Sequence, residues 1–426
     1  MGLTTAPVSA WFLAWVALVP LWILITRKDE SYLLISLAWG LGYHGLALFW
    51  ITGIHPMTWM GVPWLVSLAI ALFCWLFITL WGAALVVAWC AVMRFLSLSS
   101  GLGRILVGVA VWCGLEAVWS SGPLWWSGLS YTQSPHNLAI LQWSQVSGPS
   151  TITAAIVAVN GLIAEAVGYG TFRFWKTKSF IIALGFLVSC HGIGFWLFNR
   201  PVDTFAENAI KVGIIQGNIP NEIKLYPAGW RKAIEGYTAG YETLAADGVD
   251  IILTPETAFP FSWQYLVASS ATFYRAILEW GVPVWVGALG EEGGNYTNRQ
   301  AIVGICYESA FAEHFRRQTA AGGEFIITAA NNAHYSNSMP AQHHAQDVMR
   351  AIESDRWAAR ATNTGYSAII DPRGRTLWIS QINTYQLHKD TIYKRQTQTL
   401  YVRWGDWLTK VLLVLGTIEG IKAKVK

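Results

Sequence analysis

The stretch Ile302-Val303-Gly304-Ile305-Cys306-Tyr307-Glu308-Ser309 gives the clearest indication of the fold. Its apolar first half predicts a buried β-strand, and a helix-like segment begins directly after the cysteine. A thiol at the end of such a strand is held rigidly and approached from one side, as a nucleophile must be. The alternative is a buried structural cysteine that behaves as a small apolar residue. The four other cysteines lie in long apolar runs, so Cys306 has no disulfide partner in its own segment.

Strand-like and helix-like segments alternate on both sides of Cys306. Strands are predicted at 210–216, 249–253, 282–288, 301–305, 324–329, 367–370 and 376–380. Helices are predicted at 228–246 and 263–280, and near 310–320 and 342–361. Strands separated by helices indicate a layered α/β domain. Consecutive strand ends in such a domain converge on one face, where residues distant in sequence can meet.

Glu256 is the residue we expect beside Cys306, because Thr254-Pro255-Glu256 follows directly after the strand at 249–253. A thiol with a pKa of about 8.5 is mostly protonated at neutral pH, and a partly buried glutamate with a raised pKa can take its proton as a substrate is attacked. Glu256 could instead initiate a helix, since negative charge is favoured at helix N-termini. Glu308 is either a second acid or the N-terminal charge of the helix after Cys306.

The composition of the 426-residue chain indicates an integral membrane protein. Hydrophobic residues make up 54% and charged residues only 13%, which is about half the charged fraction of a soluble protein. The formal charge of +4 is small and scattered, which argues against nucleic acid as a partner. Apolar runs long enough to span a bilayer, or nearly so, are found at 8–25, 32–50, 63–93, 105–119, 151–167, 180–197 and 404–418.

The positions of the cations predict the orientation of these spans. The loops at 53–61 and 120–148 contain neither lysine nor arginine. Cations instead follow the first, third, fifth and last spans, as Arg27, Lys28, Arg94, Arg104, Arg173, Lys176, Lys178, Lys422, Lys424 and Lys426. The positive-inside rule puts these loops in the cytoplasm and the N-terminus outside. The predicted domains are a transmembrane helical bundle at 1–198, an extracytoplasmic domain at 199–403, and a C-terminal membrane helix with a basic cytoplasmic tail at 404–426.

The sequence predicts neither a metal site nor a cofactor site. His334, His343 and His344 are close in sequence, but no acidic residue or cysteine accompanies them at the spacing of metal ligands. The glycines of Gly101-Leu102-Gly103 lie in a loop between spans and do not follow a strand, which argues against a nucleotide-binding loop.

Several motifs, in a specific order, resemble the nitrilase superfamily and, within it, the apolipoprotein N-acyltransferase family. They are Gln216-Gly217-Asn218-Ile219-Pro220, Thr254-Pro255-Glu256-Thr257-Ala258-Phe259-Pro260, Gly304-Ile305-Cys306-Tyr307-Glu308, Asn331-Asn332-Ala333, Pro340 with Gln342-His343, Arg350-Ala351-Ile352-Glu353, Arg360-Ala361-Thr362-Asn363-Thr364-Gly365 and Ile370-Asp371-Pro372. The resemblance covers nearly the whole chain. It implies a membrane α-helical bundle plus an α/β domain, in which a nitrilase-like α-β-β-α sandwich is inserted before a C-terminal membrane helix.

The resemblance also implies a function, in which a fatty acyl chain passes from a membrane phospholipid, through a cysteine thioester, to the N-terminal amino group of a diacylglyceryl-cysteine apolipoprotein. Cys306 matches the family's nucleophile, Glu256 its proton acceptor and Glu308 a supporting acid. The implied location is the bacterial inner membrane, with a multi-pass chain and the catalytic domain on the periplasmic side. The expected partners are the phospholipid donor and the apolipoprotein acceptor, and we expect a monomer.

Two departures from the family pattern leave other functions open. The family carries a catalytic lysine on a long arm between the strand at 282–288 and the cysteine strand, whereas here Asn298 runs into Arg299 and no lysine occurs between Lys232 and Lys389. The chain is also expected to begin at the family's second membrane segment, which gives seven spans where eight are expected. The alternatives are a catalytically impaired relative that binds lipoproteins and a membrane-tethered carbon–nitrogen hydrolase.

Overall fold

A computed structural model describes residues 1–27, 31–96, 101–168, 173–269, 271–289, 300–333 and 335–425. The chain divides into two compact units. The first contains Met1–His55, Pro63–Arg200 and Thr399–Lys426, and the second contains Pro56–Val62 and Pro201–Gln398. The first unit is helical and apolar, and the second contains all the strands of the described residues.

The helices of the first unit that precede the second are α1 (Val19–Thr26), α2 (Tyr32–Ala47), α3 (Trp64–Leu96), α4 (Gly101–Ser120), α5 (Leu138–Leu141), α6 (Ser144–Ser147), α7 (Pro149–Gly168) and α8 (Lys178–Phe198). Within the described residues, α3, α4, α7 and α8 are long and apolar enough to cross a membrane. The chain is therefore a membrane protein with at least four candidate spans.

The first two predicted spans are not continuous long α-helices. In place of a span at 8–25, a 3-10 helix at Trp11–Trp15 precedes α1, which begins at Val19 and has Pro20 in its first turn. Proline has no backbone N–H and fits best in the first turn of a helix, so it divides this apolar run. The span predicted at 32–50 ends as α2 at Ala47 and continues as the 3-10 helix Phe49–Ile54.

Two acidic side chains inside the first unit, Glu116 and Glu165, have partners. Arg104 donates to Glu165 at 2.6 Å, which pairs a cation of α4 with an acid of α7. Glu116 accepts from the backbone N–H of Leu129 at 2.8 Å and from the hydroxyl of Thr153 at 2.8 Å. Because unpaired charges are costly among apolar helices, these contacts explain why such an apolar unit carries acidic residues.

The second unit begins with β1 (Ala209–Gln216), α9 (Asn221–Lys224), α10 (Pro227–Ala246), β2 (Ile251–Leu253), β3 (Phe259–Ser262), α11 (Trp263–Ala268), α12 (Thr272–Trp280), β4 (Val284–Trp285) and β5 (Ala288–Leu289). It continues with β6 (Ala301–Ile305), α13 (Ala312–Ala320), β7 (Phe325–Ala330), α14 (Ser338–Ser354), β8 (Ala358–Thr362), β9 (Ala368–Ile370), β10 (Thr376–Ile379) and β11 (Gln386–Tyr393). The chain then returns to the first unit as α15 (Leu400–Trp404) and α16 (Trp407–Val425). Helix α16 contains most of the span predicted at 404–418.

Two sheets stack face to face in the second unit. The first has the order β11-β1-β2-β4, the second has the order β10-β9-β8-β7-β6, and β3 pairs with β5. One apolar core contains residues of both sheets, among them Val212, Leu253, Ile327 and Ala359. A second core packs the other face of the first sheet against α10 and α12. With α13 and α14 after β6 and β7, the chain forms the α-β-β-α arrangement that the sequence predicts.

The parallel strands bring five chain segments to one edge of the sandwich. β1, β2 and β4 run parallel in the first sheet, and β6, β7 and β8 run parallel in the second. Their carboxyl ends are followed by the motifs that contain Asn218, Glu256, Cys306, Asn331 and Asn363. The fold therefore gathers residues that lie up to about 150 positions apart in sequence, as is usual for ligand sites in parallel sheets.

Three predicted elements differ from the structure. The helix predicted near 342–361 ends at Ser354, and residues 358–362 form the central strand β8. The helix predicted at 263–280 is divided into α11 and α12, and the strand predicted at 282–288 is divided into β4 and β5. Strand β11 was not predicted, because its sequence of mixed charge resembles a loop.

Candidate active site

Cys306 follows β6 directly and has a strained backbone. Its φ angle of 48° lies in the left-handed region, which costs a residue with a side chain about 1–2 kcal/mol. His343 holds this conformation from α14, because its Nε2–H donates to the carbonyl oxygen of Cys306 at 2.7 Å. Strained residues of this kind are concentrated at functional sites. The residue as a whole is half-buried.

Glu256 lies in a tight turn after β2. Thr257, the next residue, has a φ of 50°. The turn packs against the break between β4 and β5, where a Cβ on Gly287 would lie 2.0 Å from the carbonyl oxygen of Pro255. Only glycine permits this approach, and the backbone N–H of Gly287 donates to Thr254 Oγ1 at 3.1 Å. The interruption of the predicted strand at 282–288 thus serves to fix the turn that carries Glu256.

The structure brings Glu256 and Cys306 together. The Cys306 side chain is hydrogen-bonded to Glu256, whose Oε2 also accepts from the backbone N–H of Asn331 at 3.0 Å. Burial first, and then the charge and hydrogen bond of Glu256, raise the pKa of the Cys306 thiol to about 12, against the smaller opposing effects of the Asn331 backbone and the charge of Arg360. The thiol is therefore protonated at neutral pH and lies beside a carboxylate that can accept its proton.

A network of amide side chains joins the two sheets beneath this pair. Asn363, after β8, donates to the carbonyl oxygen of Ile219 at 2.7 Å and to Asn331 Oδ1 at 3.1 Å. Its Oδ1 accepts from the backbone N–H of Ile219 at 2.9 Å. Gln216 Oε1, at the end of β1, accepts from the hydroxyls of Ser367 and Ser380, each at 2.7 Å. Since the buried amides are paired across the sheets, the strand ends have one fixed arrangement.

His343 is uncharged in this position. Burial, and after it the positive charge of Arg360, lower its pKa to about 3. Because the carbonyl oxygen of Cys306 can only accept, Nε2 must carry the proton, and Nδ1 is left to accept from Asn332 at 3.2 Å. A buried ion pair between Arg360 and Asp347 lies in the same region.

Glu308 is placed differently from the other two predicted residues. Its Oε2 accepts from the backbone N–H of Ile305 at 2.8 Å and lies 3.5 Å from His314 Nε2. The side chain is 43% exposed. This geometry matches the alternative in which Glu308 is the N-terminal charge of the short 3-10 helix Cys306–Ala310. Its role as a supporting acid stays a prediction.

Two residues at the site were not predicted from the sequence. Lys224, at the end of α9, is 4% exposed, and its Nζ donates to the carbonyl oxygen of Glu256 at 3.4 Å. The second is Tyr335, whose pKa is raised by burial and then by the charges of Cys306 and Glu256. A lysine in a polar segment is usually solvated, so nothing in the sequence pattern singled out Lys224.

Two parts of the sequence analysis fall on residues that the structure does not describe. The junction of Asn298 with Arg299 lies within 290–299, and His334 is a single such position. Among the residues that are described, no three His, Cys, Asp or Glu side chains meet in a way that could hold a metal ion.

The comparisons with known proteins match both halves of the chain. Residues 1–162 match the apolipoprotein N-acyltransferase N-terminal domain, and residues 292–392 match the carbon-nitrogen hydrolase family. An apolipoprotein N-acyltransferase of Nostoc sp. (strain PCC 7120 / SAG 25.82 / UTEX 2576) is 50% identical, with 97% of this chain and 96% of that protein covered. The corresponding protein of Synechocystis sp. (strain ATCC 27184 / PCC 6803 / Kazusa) is 44% identical, with 98% of each covered.

Among solved structures, an amidase from Nesterenkonia sp. has 14% identity and a TM-score of 0.34, with 48% of this chain and 96% of that chain covered. The alignment with the Nostoc protein extends over 488 positions, which exceeds the 426 residues of this chain by 62. That relative therefore contains segments that have no counterpart here.

Proposed function

The chain belongs to the apolipoprotein N-acyltransferase family, and we propose that it transfers a fatty acyl chain in two steps through the thiol of Cys306. The donor is a membrane phospholipid, and the acceptor is the N-terminal amino group of a diacylglyceryl-cysteine apolipoprotein. The observation that carries this proposal is the hydrogen bond between the Cys306 thiol and Glu256, on a backbone strained at the cysteine. No cofactor takes part in either step.

In the first step, Cys306 Sγ attacks the ester carbonyl carbon of the phospholipid while Glu256 accepts the thiol proton. The tetrahedral intermediate then collapses, the bond from the carbonyl carbon to the glycerol oxygen breaks, and Glu256 returns the proton to that oxygen. The products are a thioester on Cys306 and a lysophospholipid. The protonated resting thiol favours this sequence, because the proton leaves only as the new bond forms.

In the second step, the neutral α-amino nitrogen of the apolipoprotein attacks the thioester carbonyl carbon. Glu256 accepts a proton from that nitrogen, the carbon–sulfur bond breaks, and the proton passes to the sulfur. The products are an amide on the lipoprotein and the free thiol of Cys306. The same carboxylate thus serves both steps, in keeping with its position beside the sulfur.

Both substrates are anchored in lipid, which supports a site on the outer side of a bacterial inner membrane. In this proposal residues 1–198 form the transmembrane bundle, 199–403 the periplasmic catalytic domain, and 404–426 the last membrane helix with its cytoplasmic tail, all in a monomer. The cations after alternate spans support this orientation.

Labelling of intact spheroplasts with a membrane-impermeant thiol reagent tests the orientation. A Glu222→Cys variant should react directly, and a Lys176→Cys variant should react only after permeabilisation, since both positions are exposed. Reaction at position 176 alone would contradict a periplasmic catalytic domain.

Intact mass spectrometry tests the function. The purified full-length protein in detergent, mixed with a phospholipid of defined acyl chains, should gain the mass of one acyl group. Hydroxylamine should remove this group, and a Cys306→Ala variant should not gain it. Addition of a diacylglyceryl lipopeptide should discharge the adduct and yield an acylated amine.

The two alternatives predict other outcomes in the same experiment. A hydrolase would release free fatty acid and leave the lipopeptide amine unmodified. A catalytically impaired relative would give no adduct under conditions in which the Nostoc relative is labelled. The relatives do not favour either alternative, because they carry the acyltransferase name over 97% and 98% of this chain.

A further inference from the structure

Lys224 is an unusual lysine for its position. It ends the short helix α9, and its side chain is only 4% exposed. Lysine is rarely buried in this way unless a charged or polar partner compensates for the lost hydration. Within the described residues, its ammonium group has one hydrogen bond, the 3.4 Å contact with the carbonyl oxygen of Glu256. Its other two N–H donors have no partner among the described residues.

The backbone holds Lys224 in this place. Its N–H donates to the carbonyl oxygen of Pro220 at 3.0 Å, which fixes the turn after β1. The next turn packs so closely that a Cβ on Gly229 would lie 2.1 Å from the carbonyl oxygen of Ile223. The position of the ammonium group is therefore set by the fold and not by a flexible loop.

The charges of Glu256, in the turn after β2, and of Cys306, after β6, act on Lys224. Burial lowers the pKa of Lys224 to about 8 although these two charges oppose the change. The ammonium form therefore predominates at neutral pH. No lysine occurs between Lys232 and Lys389. The charge of Arg360 also acts on Cys306, but Arg360 is paired with Asp347.

We propose that Lys224 supplies the positive charge of this active site, by holding its ammonium group beside Glu256 and Cys306 where negative charge develops during acyl transfer. This inference rests on the proposed function, because it assigns Lys224 to the same acyl-transfer steps. When the thiol attacks an ester, the carbonyl oxygen gains a full negative charge, and a fixed donor in a partly buried site stabilises that charge strongly. The segment with the family's lysine is predicted to be missing from this sequence, and Lys224 lies instead at the end of α9, after β1.

The first test compares Lys224→Met with wild type in the rate of acyl-adduct formation on Cys306, measured by intact mass with a defined phospholipid. Removal of one such donor lowers rates by about a hundredfold to a thousandfold, and we expect a loss of at least about a hundredfold in the maximal rate with little change in phospholipid half-saturation. Methionine fills a similar volume, so the thermal unfolding temperature should change little.

Lys211→Met is the matched control. Lys211 is exposed in β1, five residues before the carboxyl end of that strand, and its backbone N–H donates to Asp250 Oδ2 at 2.7 Å. It is therefore away from the strand ends that gather at the site, and its variant should form the adduct at the wild-type rate.

The second test uses Lys224→Arg, which keeps the charge at high pH. The wild-type rate should fall above about pH 8 as the ammonium group loses its proton, whereas the arginine variant should keep whatever activity it has, since arginine stays protonated. A purely structural lysine would not separate the two pH profiles.

Each outcome decides the proposal. A Lys224→Met rate within about threefold of wild type, or the same decline above pH 8 in wild type and Lys224→Arg, would overturn the role of Lys224 while leaving the proposed function intact. Failure of the wild-type protein to form any adduct would overturn the proposed function and this inference together.

Discussion

Replacement of Glu256 by glutamine should make the Cys306 thiol faster in alkylation and slower in acyl transfer. The pKa of that thiol is raised from 9.0 to about 12, by burial first and then by the charge and hydrogen bond of Glu256. Three pKa units correspond to about 4 kcal/mol against the thiolate, so about one thiol in ten thousand is ionised at pH 8. Glutamine removes the negative charge and leaves the burial in place, so the pKa should fall.

The two reactions of the thiol then separate. For each unit by which its pKa falls, the thiolate fraction rises about tenfold and its intrinsic nucleophilicity falls about threefold, which leaves a net gain of about threefold in alkylation. Acyl transfer has the opposite dependence, because loss of a positioned general base lowers the rate by about a hundredfold to ten-thousandfold. Faster alkylation with slower acylation is therefore the signature of a base that also holds the proton on the sulfur.

Alkylation is measured by mass spectrometry of the peptide that contains Cys306, after timed exposure of the full-length protein to iodoacetamide at pH 9 to 10. In this pH range the reacting thiolate forms by direct ionisation of the thiol. Adduct formation with phospholipid is measured on the same preparations. Glu222→Gln is the control, since Glu222 is exposed on α9, and it should leave both rates unchanged. If Glu256→Gln slowed alkylation as well as acylation, Glu256 would be stabilising the thiolate. That result would refute the role of Glu256 as a base that keeps the thiol protonated.

Three further variants examine the surroundings of this pair. His343→Leu removes the donor that holds the Cys306 carbonyl, so adduct formation should fall about tenfold to a hundredfold, with the same loss at pH 5 and pH 8 because burial keeps the histidine neutral; a pH-dependent loss would contradict this. Glu308→Gln keeps an oxygen acceptor for the helix cap and should retain most of the acylation rate, whereas a hundredfold loss would indicate a true supporting acid. Asp347→Ala leaves Arg360 buried without its partner and should lower the free energy of unfolding by about 3–5 kcal/mol in thermal or denaturant unfolding, and an unchanged stability would show that the pair is unimportant.

The sequence predicted that Glu256 and Cys306 would lie close together, because both follow directly after recognisable strands. The strand before Cys306 was predicted at 301–305 and is found as β6 at Ala301–Ile305. Glu256 follows β2 at the same edge of the sandwich, and the two side chains are hydrogen-bonded. Strand ends are predictable because a strongly apolar run has few alternatives, and the convergence of parallel strands then follows from the fold class.

The strand at 358–362 could not be predicted from local preference. Its sequence, Ala358-Ala359-Arg360-Ala361-Thr362, contains mostly good helix formers and continues the pattern of α14. In the structure, Asp355 has a φ of 52° and ends the helix, and the segment is inserted as β8 between β7 and β9. Pairing on both sides and complete burial outweigh helix propensity here, and neither can be read from a window of sequence.

Lys224 escaped prediction for a related reason. Burial of a lysine depends on which segments close over it, and in this fold those are the turn that carries Glu256 and the turn between α9 and α10. A sequence pattern records polarity and spacing, but it does not record the distance between two turns. The residues that sequence analysis missed are those whose role arises from contacts between segments distant in the chain.

The strained turns show how both sheets contribute to the candidate active site. Asn218, Thr257 and Cys306 all have φ near 50°, and they follow β1, β2 and β6. At about 1–2 kcal/mol each, this strain is comparable with much of the net stability of a typical domain, so specific contacts must offset it. The N–H of Asn218 donates to the carbonyl oxygen of Asn363 at 2.7 Å, and His343 donates to the carbonyl oxygen of Cys306 at 2.7 Å. Each sheet supplies one member of the pair Glu256 and Cys306, and contacts from other strands and helices hold the turn of each residue in a conformation that its own segment would not adopt. A loss of these contacts should therefore lower the rate of acyl transfer well before it unfolds the domain.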